Sequence, residues 1–249
     1  MNLYIITGTT KGLGKALADA LAADAHNQVI TLSRTPDAGS EGRSGRCNYY
    51  LDLSRPESIA GVFERALDAV SKTRYEKTVL MNNAGLLDPV APLGECDATA
   101  LIENLTVNLV APMILMQQFI VRTRGLSPCR LVVNISSGAG KRPVAGWSAY
   151  CSSKAGLDMA SRVAGLEAGT NEPGLIICSL APGVVDTPMQ TQLRSKSEHE
   201  FPEVARFRQM KNEGTLRSPE DVAAEIIKLE RLGVFENGGV HDIREMSAR

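Results

Sequence analysis

Three features of this 249-residue chain predict an α/β fold, a doubly wound parallel sheet with helices on both faces. Apolar runs recur without polar–apolar alternation, as in strands buried on both sides. Segments with apolar residues three and four apart separate those runs. A glycine-rich turn, TGTTKGLG at residues 7–14, joins the first run to the first helical segment. Strand and helix alternate throughout, with no internal repeat or linker, so residues 1–249 read as one domain.

The first strand is LYIIT at 3–7, and KALADALAADA, rich in alanine and leucine, is the helix behind the turn. QVITLS at 28–33 is the second strand, and TPDAGSEGRSGR at 35–46 reads as a mobile surface loop. CNYYLDL at 47–53 is the third. S-R-P-E at 54–57 predicts a capping box in which Ser54 and Glu57 satisfy each other's backbone N–H groups. The helix that follows carries Ile59, Val62, Phe63, Ala66, Leu67 and Val70 on one face. TVLMNNA at 78–84, RLVVNIS at 130–136, GLIICSLA at 174–181 and a short GGVHDI at 238–243 bring the sheet to about seven strands. Ser218–Asp221, S-P-E-D, supplies an N-cap, a proline at the first helical position and acids in the first turn. That helix carries Val222, Ile226 and Leu229 and stops at Gly233. The polar stretch from 190 to 217 reads as a lid over a site, and the lid is placed at about residues 187–212.

Composition excludes several functions. The chain has 27 basic and 28 acidic residues and no basic stripe, which argues against nucleic acid as a partner. No uninterrupted apolar run approaches the roughly 20 residues that cross a bilayer, and the N-terminus lacks the pattern of a leader peptide. Five scattered cysteines with no C-x-x-C pair suit free thiols in a reducing cytoplasm. His26, His199 and His241 are not at ligand spacing, so neither a metal nor a Ser-His-Asp triad is expected.

Gly8, Gly12 and Gly14 stand between a strand and a helix, where glycine lets backbone N–H groups approach a pyrophosphate at the positive helix end. A nucleotide P-loop does not fit, because positions 9 and 16 hold Thr9 and Ala16. A dinucleotide fits. The second strand ends in Ser33-Arg34 with no acid before Asp37, and Lys11 lies in the glycine turn. An acid there would repel a 2′-phosphate, whereas a guanidinium pairs with one, an interaction worth roughly 1.5–3 kcal/mol. Arg34 either does this or solvates a loop mouth; NADP(H) is the favoured cofactor.

Tyr150 and Lys154 are four apart, which on a helix puts both on one face. A cation about 4 Å from a phenol is worth on the order of 4 kcal/mol at an intermediate dielectric, enough to lower the phenol by up to about three pKa units. Ser137 closes a strand and can donate to a carbonyl oxygen. Taken together, T-G-x-x-x-G-x-G at 7–14, N-N-A-G at 82–85, Asn108, Ser137, Tyr150, Lys154 and Pro182-Gly183 resemble the short-chain dehydrogenase/reductase family over nearly the whole chain. The resemblance implies a Rossmann-type fold. It makes Tyr150 the general acid, Lys154 its partner and a ribose ligand, Ser137 the carbonyl-orienting group, and Asn108 the holder of a relay water. Asn108 could equally tie a helix to the sheet. It assigns the cofactor to Gly8, Thr10, Lys11, Gly12, Leu13, Gly14, Ser33, Arg34, Asp52, Leu53, Asn83, Ala84, Gly85, Pro182, Gly183, Val184 and Thr187, beside Tyr150 and Lys154.

Within the family, GW-x-x-YC-x-x-KAG-x-DM at 146–159, APG-x-x-DT-x-MQ at 181–190 and GGVHDI resemble sepiapterin reductases and bacterial benzil reductases. This implies a small-molecule carbonyl substrate, a ketone or 1,2-dicarbonyl, reduced by NADPH. Asp242 then falls where a carboxylate anchors substrate, or is a solvated acid. Trp147 either lines the pocket or packs the start of its helix, and Met189 and Gln190 belong to the lid. An NAD-dependent alcohol dehydrogenase and a non-catalytic NADPH-binding module are the rival readings. The resemblance also implies a homodimer or homotetramer through helices beginning near Glu95 and Ser148. Ala155, Gly156, Ala160 and Ala164 would permit close helix approach there, or pack onto the sheet.

Overall fold

The computed structural model describes residues 1–35, 46–71 and 73–246. In chain order the strands and helices are β1 (Asn2–Thr7), α1 (Gly12–Ala22), β2 (Asn27–Ser33), β3 (Arg46–Tyr50), α2 (Ile59–Asp68), β4 (Lys77–Asn82), α3 (Ala98–Leu105) and α4 (Ala111–Arg122). Then come β5 (Cys129–Ile135), α5 (Ser148–Asn171), β6 (Leu175–Ala181), α6 (Pro188–Arg194), α7 (Val204–Asn212), α8 (Pro219–Leu232), β7 (Val240–Asp242) and the short α9 (Ile243–Met246). The seven strands form one sheet in the order β3-β2-β1-β4-β5-β6-β7, every pair parallel.

Both faces are covered, which is why the strands lack alternation. In β1, Leu3 and Ile5 join the cluster under α2, α4 and α5, whereas Tyr4 and Ile6 join the cluster under α1 and α8. Strand order reverses between β1 and β4, and the turns after these two strands meet at that switch point.

Several elements differ from the sequence reading. β3 ends at Tyr50, so 51–53 form no strand. The capping box at 54–57 does not form: Ser54 donates its hydroxyl to Asp52 Oδ1 at 2.8 Å instead, and a 3₁₀ turn at Pro56–Ser58 leads into α2. Donation to the charged carboxylate turns the hydroxyl away from the backbone N–H groups it was expected to accept from. Of the expected loop at 35–46, residues 36–45 lie outside the described residues, and Arg46 opens β3 with its side chain on Asp19 Oδ1 at 2.9 Å. α8 matches its reading: Ser218 accepts from the Asp221 N–H at 3.0 Å, and Gly233 ends the helix at φ +66°.

The expected lid is two helices, α6 and α7, whose Leu193, Val204 and Phe207 pack with Phe201 into a third cluster around Trp147 and Tyr150. α3 and α4 join through a π-helical turn at Thr106–Val110. The resulting run Ala98–Arg122 is long and apolar enough, by length and composition, to cross a membrane. In this fold Val107, Ala111, Leu115, Met116 and Phe119 lie buried in the sheet core. All five cysteines are free thiols.

Candidate active site

The turn after β1 is shaped by contacts that exclude side chains. Gly8 has φ +69°, and a Cβ there would lie 2.8 Å from Ala84 Cα. One on Gly14 would collide with Asn83 Nδ2 and Gly8 O. Thr7 Oγ1 accepts from the Asn83 and Ala84 N–H groups, both at 3.0 Å, and Asn83 Nδ2 donates to Thr7 O at 3.0 Å. The turn therefore packs flat against the loop after β4. It leaves the start of α1, which carries no acid in its first turn, facing the cavity. This is a cradle suited to a pyrophosphate, so the residues fit a dinucleotide.

A cavity of about 630 Å³ runs from this turn across the C-terminal strand ends to α7. Every residue that the sequence singles out for cofactor or substrate lines it, from the glycine turn through Arg34 and Asp52 to Met189, Gln190 and Asp242. Asn108 does not; it lies behind the wall. Thr187 packs against the glycine turn, its Cγ2 3.1 Å from where a Gly12 Cβ would stand. At the Arg34 end, Ser54 and the cations Arg34 and Arg55 hold the Asp52 carboxyl below its usual range against the opposing effect of its partial burial.

At the other end Ser137, Tyr150 and Lys154 converge. Ser137 caps the short turn after β5, its Oγ accepting from the Ala139 N–H at 3.2 Å. Tyr150 and Lys154 stand one turn apart on α5, and both are buried. Lys154 Nζ donates to the Ile135 carbonyl at 2.9 Å and lies 5.8 Å from the Tyr150 ring centroid. Burial pushes the phenol up, and a hydrogen bond with Ser137 opposes that. The lysine was expected to lower the phenol; in the structure burial sets the direction, opposed by Ser137, and burial acts on the lysine too. Burial brings Lys154 down to about 8, with Asp158 pulling the other way.

Asn108 sits in the π turn and is fully buried. Its Oδ1 accepts from the Leu86 N–H at 2.7 Å, and its Nδ2 donates to Leu86 O at 2.8 Å and Asn104 Oδ1 at 3.0 Å. It thus ties the helix to the loop after β4, while its Oδ1 also lies 3.2 Å from where a Gly85 Cβ would be. Trp147 is both buried and a lining residue: its ring stacks on Phe201 at 4.8 Å and meets Tyr150 edge-on at 5.4 Å. Its Nε1 has no hydrogen-bond partner among the described residues.

Asp242 lines the cavity, but both of its oxygens are taken by Arg244: Nε to Oδ1 at 2.9 Å and Nη2 to Oδ2 at 2.6 Å. The pairing holds the Asp242 carboxyl below the usual range. Sequence reasoning missed Arg142, Arg206, Phe207 and Arg244, all of which line this end. For two of them the only sequence signal was the Val204–Phe207 spacing, too short to set a helical period. Arg142 and Arg244 carried none.

Comparison with known proteins agrees with this geometry. The family described as short chain dehydrogenase matches residues 2–198. A benzil reductase ((S)-benzoin forming) of Bacillus subtilis is 42% identical over 245 residues, covering 98% of this chain and 99% of that protein. The sepiapterin reductase of Rattus norvegicus is 29% identical, covering 97% and 96% respectively. Among solved structures, the KRED1-Pglu enzyme superposes with a TM-score of 0.81 at 30% identity, covering 96% of this chain and all of that one. A 4-hydroxyisoleucine dehydrogenase complexed with NADH shares the fold at a TM-score of 0.79.

Proposed function

Because the chain belongs to the short-chain dehydrogenase family of oxidoreductases, we propose that it is an NADPH-dependent carbonyl reductase acting on a ketone or 1,2-dicarbonyl. The observation that carries this reading is the convergence of Ser137, Tyr150 and Lys154 on the cavity that the glycine turn opens. The nicotinamide cofactor, when bound, supplies the hydride. Tyr150 holds the proton that the substrate oxygen receives, and Ser137 donates to the same oxygen. Together they stabilise the alkoxide as charge develops on it. Lys154 contributes a cation behind the phenol, and Asn108 sets the loop against which Lys154 packs.

The preference for NADPH rests on Arg34, which lines the cavity at the end of β2 where an acid would favour the unphosphorylated ribose. Names of the relatives support an aromatic dicarbonyl as the substrate, and the aromatic side chains of Trp147, Tyr150 and Phe207 that line the cavity suit one. The chain also acts as a homo-oligomer in this reading, because Ile102 and Met113, on α3 and α4, stand exposed beside Met159, Val163 and Leu166 on α5.

The test is NADPH oxidation with benzil and with sepiapterin, run beside Tyr150→Phe and Arg34→Ala. Turnover should fall by about 10²–10⁴-fold in Tyr150→Phe. Arg34→Ala should narrow the preference for NADPH over NADH. Full activity in Tyr150→Phe would remove the mechanism, and faster turnover with NADH would remove the cofactor assignment.

A further inference from the structure

We propose that Arg244, held in place by Asp242, selects ketones that carry a second oxygen on the neighbouring carbon. The proposal rests on the carbonyl-reductase reading of the same cavity and adds the group that reads the substrate.

The geometry of the ion pair carries it. Asp242 is buried on β7, in register with Ala181 at the end of β6. Arg244 is mostly exposed, its side chain two-thirds open to solvent, and it lines the same cavity. The contacts to Asp242 use Nε and Nη2, the side-on edge of the guanidinium, and the Arg244 backbone N–H adds a third at 3.0 Å. A guanidinium has five N–H groups, and its end-on edge, formed by Nη1 and Nη2, is a second fork. Asp242 therefore fixes the plane of Arg244 while leaving that fork unused among the described residues. Such a fork matches two acceptor oxygens, or one oxygen with two lone pairs, and a buried carboxylate behind it prevents rotation away.

The position is right for substrate. The Arg244 stem passes over Gly183, its Cδ 3.9 Å from where a Cβ would be, on the loop that follows β6. The rest of this end supplies donors as well, Ser137 and Tyr150. Asp242 is the acid on this side of the lining, and it is already paired. A lining of donors whose carboxylate at this end is occupied favours a substrate rich in acceptors. One oxygen goes to Ser137 and Tyr150, and the adjacent one to Arg244. A 1,2-diketone and a 2-oxo acid both present that chemistry.

The test uses the full chain with NADPH and three substrates that share a phenyl ketone: 1-phenylpropane-1,2-dione, phenylglyoxylate and propiophenone, which lacks the second oxygen. In Arg244→Met the ratio of kcat/KM for the dione over propiophenone should fall by about tenfold to a hundredfold. Asp242→Asn should lower it less, mostly through KM, because the fork remains but turns. Arg244→Lys separates the two sources. Recovery with phenylglyoxylate alone identifies a reading of charge, and no recovery with either identifies a reading of paired hydrogen bonds. A ratio unchanged in Arg244→Met, with a melting temperature equal to wild type, would overturn the proposal. If wild type reduces none of the three, quenching of the single tryptophan, Trp147, by phenylglyoxylate decides. Weaker binding in Arg244→Met keeps the proposal while the reductase reading falls, and equal binding overturns it.

Discussion

Lys154 is an ammonium group enclosed by the protein, 4% exposed, and its cost varies with pH. Burial brings it down to about 8, whereas the unfolded chain keeps that proton to about 10.4. Between those values the unfolded state binds more protons, so this group's contribution to stability rises with pH; below about 8 both states are charged and the full desolvation cost applies. Lys154→Met should therefore gain most over wild type near pH 7, and the gain should shrink toward pH 10. Melting temperatures of the two proteins across that range would check it, and a constant difference would contradict the assigned shift. The spacing of Tyr150 and Lys154 was legible in the sequence because four residues on a helix always share a face. The direction of the phenol's shift was not, because it depends on Trp147 and on Phe201 from a segment fifty residues away in sequence. Arg244 was illegible for the same reason: what marks it is its geometry on Asp242, not its neighbours in the chain.

Between α3 and α4 the chain takes one π turn, and Asn108 occupies it. Such turns insert an extra residue into the hydrogen-bond ladder and mark functional places in helices. Here the turn brings an amide to Leu86 that an uninterrupted α-helix would rotate away. Asn108→Ala leaves the Leu86 N–H without its acceptor, and we expect a loss of about 1–3 kcal/mol in urea denaturation. Activity should drop further than that loss explains, since the same loop carries Gly85 beside Lys154. Unchanged stability would mean that the tie is replaced by water. Nothing in the composition of TVNLV signals such a slip, whereas the ends of α8 were readable because Ser218 and Gly233 act through local chemistry alone. The helices over the cavity were hidden by their polarity: α6 and α7 bury only Leu193, Val204 and Phe207, too few to set a clear period.

For the molecule as a whole, two-sided burial of each strand made the parallel sheet legible, and the alternation of elements made it doubly wound. Assembly is the property that one chain shows least directly. Met159, Val163 and Leu166 recur at helical spacing on the outer face of α5, and Leu166 is 76% exposed. Contiguous apolar surface of this kind marks association. On the proposed assembly through this face, a Leu166→Glu, Met159→Glu double variant should run as a monomer in light scattering after size exclusion where the unaltered chain runs heavier; equal masses would count against this face as the contact. The helices over the cavity have a different relation to the whole. They leave and rejoin the sheet at one place, where Val185 bridges Arg217 and the Asp186 N–H donates to Arg217 O at 2.9 Å. A segment closed at its base in this way is a cassette. Exchange of residues 186–216 between relatives would change what the cavity admits without moving a strand, but because Phe201 and Phe207 pack on Trp147 beside Tyr150 it would also reset the surroundings of the phenol, so substrate range and catalytic acid are tuned by one segment.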